Sequence, residues 1–337
     1  MGSIKLSLVQ SANESFGSVI FKTLMHLQKK LIIWIPFSMV LGLLYGYLFD
    51  ASTLKTMVIP ATFIMVYPMM VTLNIKKLFS VGGTKLLTVT QLINFIIIPL
   101  IGFAVGLVFF PNNIMVRIGF LLITLIPTSG MTIIWTSIAK GNVNEAIRMT
   151  VSGLLLGAIL TPLYLKALLG TAIEIPLSKI FMQILIVVFI PMILGYLTQQ
   201  LLVKNYGREY FQTKIKIKFP PVSTLGVLVI VFIAMGLKSK GILSNLTMLI
   251  KLLIPLIIMY LVIFLLSTFI GKFLFKKLDA IALVYGTAMR NLAIALAIAM
   301  SVFKTNGTEI VLVIAIAFIV QVQSAAWYTK YASKILK

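Results

Sequence analysis

The recurrence of long apolar runs constrains this chain most. Ten of them fall at 31–49, 56–74, 86–110, 117–139, 145–169, 178–202, 222–237, 247–271, 280–302 and 309–330, separated by short polar segments. About 20 apolar residues carry a helix across the hydrocarbon layer of a bilayer. A helix also satisfies its own backbone there, where water cannot. Of the 337 residues 60% are hydrophobic and only 11% charged, against about 25% charged in a soluble domain. No soluble core could enclose so much apolar side chain. The expected fold class is an all-α polytopic membrane protein with ten transmembrane helices, and its first partner is the lipid bilayer.

The net charge of +22 comes from 29 Lys and Arg against 7 Asp and Glu. A nucleic-acid binder would gather that charge on one face interleaved with aromatics; here it lies between the apolar runs, so no nucleic-acid partner is expected. With the N-terminus inside, 20 Lys and Arg fall on the cytoplasmic side and 8 on the external side, leaving Arg290 within a span. The positive-inside rule then places both termini in the cytoplasm of a multi-pass protein of the cell (inner) membrane. Residues 1–30 lack the apolar stretch and cleavage site of a signal peptide. Phe16, Val19, Ile20, Thr23, Leu24 and Leu27 recur at helical spacing beside Lys22, Lys29 and Lys30. That pattern predicts a short amphipathic helix on the cytoplasmic membrane surface.

The longest connection, near 203–221, holds Lys204, Arg208, Lys214, Lys216 and Lys218 and divides the chain nearly in half. Landmarks recur across it. Ile35-Pro36 matches Ile190-Pro191 at an offset of 155, and Ile98-Pro99-Leu100-Ile101 matches Ile254-Pro255-Leu256-Ile257 at 156. Thr128-Ser129-Gly130-Met131 is echoed by Gly286-Thr287-Ala288-Met289 at 158. The predicted organisation is residues 1–30, a first five-helix repeat 31–170 and a second 171–337. An odd number of spans per half inverts the second repeat, an architecture of secondary transporters that bind substrate near the bilayer midplane.

Both the fourth and ninth spans are interrupted. Pro127 removes a backbone donor ahead of Thr128-Ser129-Gly130, and Gly286-Thr287 precedes Met289-Arg290-Asn291. A break at membrane depth exposes amides and carbonyls that only a protein cavity or water can satisfy. Half-helix N-termini attract anions, and their C-termini attract cations. Arg290 is the charged residue assigned to a span, at a cost of about 2.5–3.5 kcal/mol, so it should face the interior. These considerations nominate Arg290, Asn291, Thr287, Thr128, Ser129, Gly130 and Asn94 as substrate-binding residues for a small anionic solute. Thr132, Thr136, Thr150, Gln321 and Gln323 supply further polar groups. The glycine pairs Gly42/Gly46, Gly102/Gly106 and Gly153/Gly157 have the spacing of close helix packing. Beyond Glu145 and Glu309 at the edges of their runs, no Asp, Glu, His or Cys is assigned to a span, and the chain has no cysteine at all. An enzyme would need a nucleophile–base pair, paired acids or metal ligands, so neither an enzyme nor a metal site is expected. The oligomer is expected to be a monomer or homodimer.

The run Pro127-Thr128-Ser129-Gly130-Met131-Thr132-Ile133-Ile134-Trp135, continuing to Ala139-Lys140-Gly141-Asn142, resembles the fourth-span signature of the bile acid:sodium symporter superfamily. Trp135 is closer to its arsenite-permease (arsenical-resistance) branch. Asn94-Phe95 with Pro99, and Met289-Arg290-Asn291-Leu292-Ala293, extend the likeness. The resemblance implies broken helices four and nine crossing within a core of spans 3–5 and 8–10, with a panel of spans 1, 2, 6 and 7 moving against it. It also raises sodium as a coupling ion, but the sites look degraded. Sodium symporters of the family carry Glu where this chain has Gly286, Gln at Arg290, Asn at Ile133 and Gln at Asn94. Candidate ion ligands reduce to Thr132, Thr150, Asn94 and the carbonyls around Gly286 and Met289. A guanidinium at Arg290 would repel a neighbouring sodium ion. The expectation is a secondary transporter of a small organic anion in which Arg290 replaces a bound cation, with no cofactor. The arsenite branch carries Cys where this chain has Thr128, and a Glu close to Asn291. Without thiolates, efflux of arsenite or an oxyanion is the second reading.

Overall fold

A computed structural model describes residues 21–28, 30–73, 84–170, 177–244, 246–303 and 307–336. The described residues are helical wherever the sequence is apolar, and no strand forms among them beyond one bridge between Pro127 and Arg290. In chain order the helices are α1 (Phe21–Gln28), α2 (Leu31–Leu48) and α3 (Val58–Thr72), the last entered through a 3-10 turn at Ala51–Met57. α4 (Thr84–Phe109), α5 (Ile114–Leu125), α6 (Gly130–Ile138) and α7 (Val143–Leu169) follow. α8 (177–206) leads through a helical stretch at 208–218 into α9 (Phe219–Leu243). α10 (Leu246–Leu274), α11 (Lys277–Ala288), α12 (Leu292–Val302) and α13 (Thr308–Ile335) complete the chain.

Among the described residues six helices are long and apolar enough to cross a membrane, seven if the pair Phe21–Gln28 and Ile33–Leu48, bent by 97°, counts as one. This is fewer than the ten expected, and helix breaks account for two of the missing spans. The fourth stretch splits into α5 of 12 residues and α6 of 9, and the ninth into α11 of 12 and α12 of 11. No piece alone reaches spanning length. Of the expected N-terminal surface helix, Thr23, Leu24 and Leu27 fall on α1, while Phe16, Val19 and Ile20 lie outside the described residues.

Proline explains two further irregularities. Pro99 and Pro191 each follow a π turn, at Ile93–Ile97 and Leu185–Phe189. A proline donates no N–H, and the widened turn changes the hydrogen-bond register next to it. Pro36 and Pro255 instead lie inside continuous α-helix. The Ile-Pro landmarks matched between the halves therefore do not share local geometry.

α9 lies along α2 and α3, and α3 also packs on α8. The α2–α9 contact is backbone on backbone. A Cβ at Gly46 would fall 2.0 Å from the Gly236 carbonyl oxygen, and one at Gly42 would fall 2.4 Å from that of Phe232. A second group joins α10 to α11 and α13, α5 to α4 and α13, and α7 to α6. Its interior is built from nearly inaccessible small and aliphatic residues such as Ala282, Ala295, Ala299, Ile314 and Ala317. The outward faces of α2 and α10 expose Ile33, Phe37, Leu44, Ile254, Leu261 and Phe269, as lipid-facing helices do.

Candidate functional site

The two helix breaks meet. α5 ends at Leu125, and Ser129 opens α6 as its N-cap. The Ser129 hydroxyl accepts from Met131 N–H at 3.2 Å, and the Thr132 hydroxyl accepts from Ser129 N–H at 3.2 Å. Between them Thr128 takes a φ of 58°, a left-handed conformation rare for a β-branched residue. Its hydroxyl donates to the carbonyls of Pro127 at 2.7 Å and Thr150 at 3.3 Å. On the other side α11 ends at Ala288, and Asn291 caps α12 by accepting from Ile294 N–H at 3.2 Å. Thr128 N–H donates to the Met289 carbonyl and Asn291 N–H to the Ile126 carbonyl, each at 2.9 Å. This antiparallel bridge gives partners to backbone groups that two broken helices would otherwise leave bare in the interior. Gly286–Ala288 form the last turn of α11, so the break on that side falls at Met289–Asn291.

Arg290 is 1% exposed. Its guanidinium donates from Nη1 to Asn94 Oδ1 at 2.6 Å and to the Thr287 carbonyl at 2.9 Å, from Nε to the Ile123 carbonyl at 3.4 Å, and from Nη2 to the Thr124 carbonyl. Ile123 and Thr124 belong to the last turn of α5 and Thr287 to the last turn of α11, where carbonyls lack intrahelical partners. The charge thus rests on the C-terminal ends of two half-helices, the end that favours a cation. No carboxylate hydrogen-bonds it among the described residues. Gln321 of α13 holds the Arg290 backbone from both sides. Its Oε1 accepts from Arg290 N–H at 2.8 Å and from Tyr260 Oη at 3.0 Å, and its Nε2 donates to the Arg290 carbonyl at 3.2 Å. Asn94, placed by the π turn of α4, turns its Nδ2 to the Gly286 carbonyl at 3.0 Å.

A cavity of about 530 Å³ opens beside the breaks, between α1, α3 and α9 on one side and α6, α12 and α13 on the other. Its polar end is formed by Ser129, Gly130, Arg290, Asn291 and Gln321; its walls include Met65, Met69, Ile134, Trp135 and Phe318. Of the residues nominated from sequence, Arg290, Asn291, Ser129 and Gly130 line it, while Thr128, Thr287 and Asn94 do not. Thr287 Oγ1 is bonded instead to Ser267 Oγ at 2.7 Å. The candidate ion ligands are each engaged in hydrogen bonds within the protein. Thr150 Oγ1 donates to Ala146 O at 2.7 Å, Thr132 serves the α6 cap, the Met289 carbonyl is taken by Thr128 and the Gly286 carbonyl by Asn94. No group of three or more His, Cys, Asp or Glu suited to a metal occurs among the described residues.

Sequence reading missed Met69 and Thr72 on α3 and Lys216, Ser223 and Thr224 near the start of α9, all of which line the cavity. Met65, Met69 and Thr72 repeat at helical spacing, a signal that marks a shared face but not what it meets. It also left the interiors of the spans without a carboxylate. Glu145 and Arg148 are both buried in the first two turns of α7 and form an ion pair at 3.0 Å. Their mutual neutralisation explains how two charges fit inside an apolar run. The Ala139–Asn142 run is a joint. Lys140 has a φ of 59°, Asn142 N–H donates to the Leu278 carbonyl at 2.9 Å, and Asn142 Nδ2 donates to Asp279 Oδ1 at 2.7 Å. The end of α6 is thereby tied to the start of α11.

Residues 59–245 match the profile of the Sodium Bile acid symporter family, and the chain belongs to that family. It is similar to the arsenical-resistance protein Acr3 of Alkaliphilus metalliredigens, 25% identical over 240 residues that cover 65% of this chain and 67% of the relative. An uncharacterized transporter of Synechocystis is 23% identical over 254 residues, 66% of each chain. Sodium/bile acid cotransporter 7 of Xenopus tropicalis is 30% identical over 141 residues, 37% of this chain and 39% of the relative. The chain thus aligns with about two thirds of the length of the first two. Family and apolar helices together make it a multi-pass membrane protein of a transporter family.

Proposed function

We propose that this protein is a secondary transporter that moves a small organic anion by alternating access, without a sodium requirement, because the Arg290 guanidinium takes the place of a bound cation. The observation that carries the reading is the Arg290 cluster: a positive charge held by the carbonyl ends of α5 and α11 and by Asn94, with no acidic partner there among the described residues. Two half-helix N-termini, those of α6 and α12, end at the cavity beside it, a setting that favours a negative ligand group. Apolar walls of methionine, isoleucine, tryptophan and phenylalanine suit an apolar body behind that group.

In this reading ten spans form two inverted five-helix repeats, whose two broken runs meet at the central bridge. α4–α7 and α10–α13 act as the core, and α2, α3, α8 and α9 as the panel. The packing of α9 on α2 and α3 and of α8 on α3 supports that grouping. With the termini in the cytoplasm of the cell membrane, the cavity, which reaches α1 and Lys216, faces inward. Reconstitution into proteoliposomes tests the coupling. Uptake of a responding anion should be unchanged when sodium is replaced by N-methylglucamine; a requirement for a sodium gradient would refute the reading.

Export of arsenite or another oxyanion is the second reading, favoured by the similarity to the arsenical-resistance protein Acr3 of Alkaliphilus metalliredigens. The chain has no cysteine, so arsenite would have to be held through oxygen rather than thiolate. Protection of an arsenite-permease-deleted host against arsenite would favour this reading over the first.

A further inference from the structure

Met69, on α3, reaches across the cavity to the first residue of α6. Its thioether accepts the Gly130 N–H with a sulfur–nitrogen distance of 3.2 Å. Gly130 permits the approach: a Cβ there would lie 3.1 Å from Met69 Sδ and 3.2 Å from its Cγ. Thioether sulfur is a weak acceptor, whereas a helix N-terminus favours a negatively charged oxygen. Asn291, 3% exposed and lining the same cavity, has an Nδ2 with no hydrogen-bond partner. At this end of the cavity one donor is therefore served by a poor acceptor and another by none.

We propose that Met69 is a displaceable stand-in for the substrate: a carboxylate entering the cavity takes the Gly130 N–H and the Asn291 amide, and Met69 is expelled from the α6 N-terminus. The inference rests on the organic-anion reading above and adds to it a substrate head group and a residue that senses its arrival. Because Met69 belongs to α3 and Gly130 to α6, the exchange also severs a contact between the two helix groups that flank the cavity. Substrate binding and their relative movement are coupled through one side chain.

The test uses the full chain in lipid nanodiscs with ¹³C-methyl methionine, the Met69 signal being assigned by its loss in both Met69→Leu and Met69→Gln. Acetate, isovalerate, phenylacetate and cholate are each titrated. At least one should shift the Met69 methyl signal. Met69→Leu, which keeps the bulk but removes the acceptor, should bind that carboxylate about two- to fivefold more tightly, as the loss of one competing hydrogen bond predicts. Met69→Gln, with a stronger acceptor, should bind it more weakly. A role in packing alone would not give opposite signs in the two variants. Carboxylate binding with an unmoved Met69 signal, or with unchanged affinity in Met69→Leu, overturns the displacement and leaves the organic-anion reading standing. Failure of all four carboxylates to bind the unmodified protein overturns both.

Discussion

Arg290 and Asn94 are joined by a 2.6 Å hydrogen bond from Nη1 to Oδ1, and the same carboxamide donates from Nδ2 to the Gly286 carbonyl at 3.0 Å. Asn94 thus links the guanidinium to the last turns of α11 and is itself positioned by a π turn ahead of Pro99. Asn94→Ala leaves a buried guanidinium one acceptor short. It should lower stability by about 1–3 kcal/mol, read as a fall in the thermal unfolding midpoint of purified protein.

Arg290→Gln removes the charge but leaves the carbonyl cluster in place. The variant should be less stable than the parent. Sodium chloride should then raise its unfolding midpoint more than choline chloride at equal concentration, because an ion that binds only the folded state stabilises it by mass action. The parent should show no such difference. Equal responses to the two salts in Arg290→Gln would count against a cation-like role for the guanidinium.

Gly46→Ala tests the α2–α9 contact. The added Cβ would fall 2.0 Å from the backbone oxygen of Gly236 and 2.6 Å from Ser239 Oγ. Backbone on the far side cannot rotate away, so the helices must separate. A loss of about 1–3 kcal/mol is expected from overpacking of this kind, measured as a reduced thermal midpoint or reduced yield of monodisperse protein.

Asn142 and Asp279 join the broken helices at one end of the bundle. Asn142 also caps α7, accepting from Glu145 N–H at 3.3 Å. Asn142→Ala should cost more than Asp279→Ala, since it loses a cap worth about 1 kcal/mol in addition to the bond. The double mutant should recover about 0.5–1.5 kcal/mol of coupling. Strict additivity in a thermal-denaturation cycle would show the bond to be energetically idle.

The absence of native cysteine makes topology directly measurable. Single substitutions Asn112→Cys, Lys140→Cys and Lys276→Cys can be labelled in intact cells with a membrane-impermeant maleimide. Position 112 should label from outside, and 140 and 276 only after the membrane is opened. Any other pattern would contradict cytoplasmic termini with ten spans.

Much of this architecture was legible in the chain. Long apolar runs announce helices because a bilayer leaves the backbone no other partner, and each predicted run carries helix, although among the described residues only six helices, or seven with the bent pair, are long and apolar enough to cross. The breaks at Pro127 and near Arg290 were visible because proline and clustered polar residues interrupt an apolar period. Arg290 stood out as a charge with nowhere to go. The opposite error also came from charge: Glu145 and Arg148, at the edge of the run 145–169, were left out of the charges assigned to spans, and their ion pair three positions apart on one helix keeps both buried.

Sequence by itself determined that the chain lives in a membrane, that it is helical, and that its fourth and ninth runs are broken, because these follow from local hydropathy and backbone chemistry. Tertiary structure alone decided what the breaks do. Their pairing into a bridge, the turning of Arg290 onto Asn94 and the carbonyls of α5, and the removal of Thr128 and Asn94 from the cavity wall depend on contacts between residues more than a hundred positions apart. The approach of Met69 to Gly130 joins residues sixty-one positions apart. Hydrogen-bond direction and close packing between distant segments set these arrangements, and neither leaves a period in the sequence.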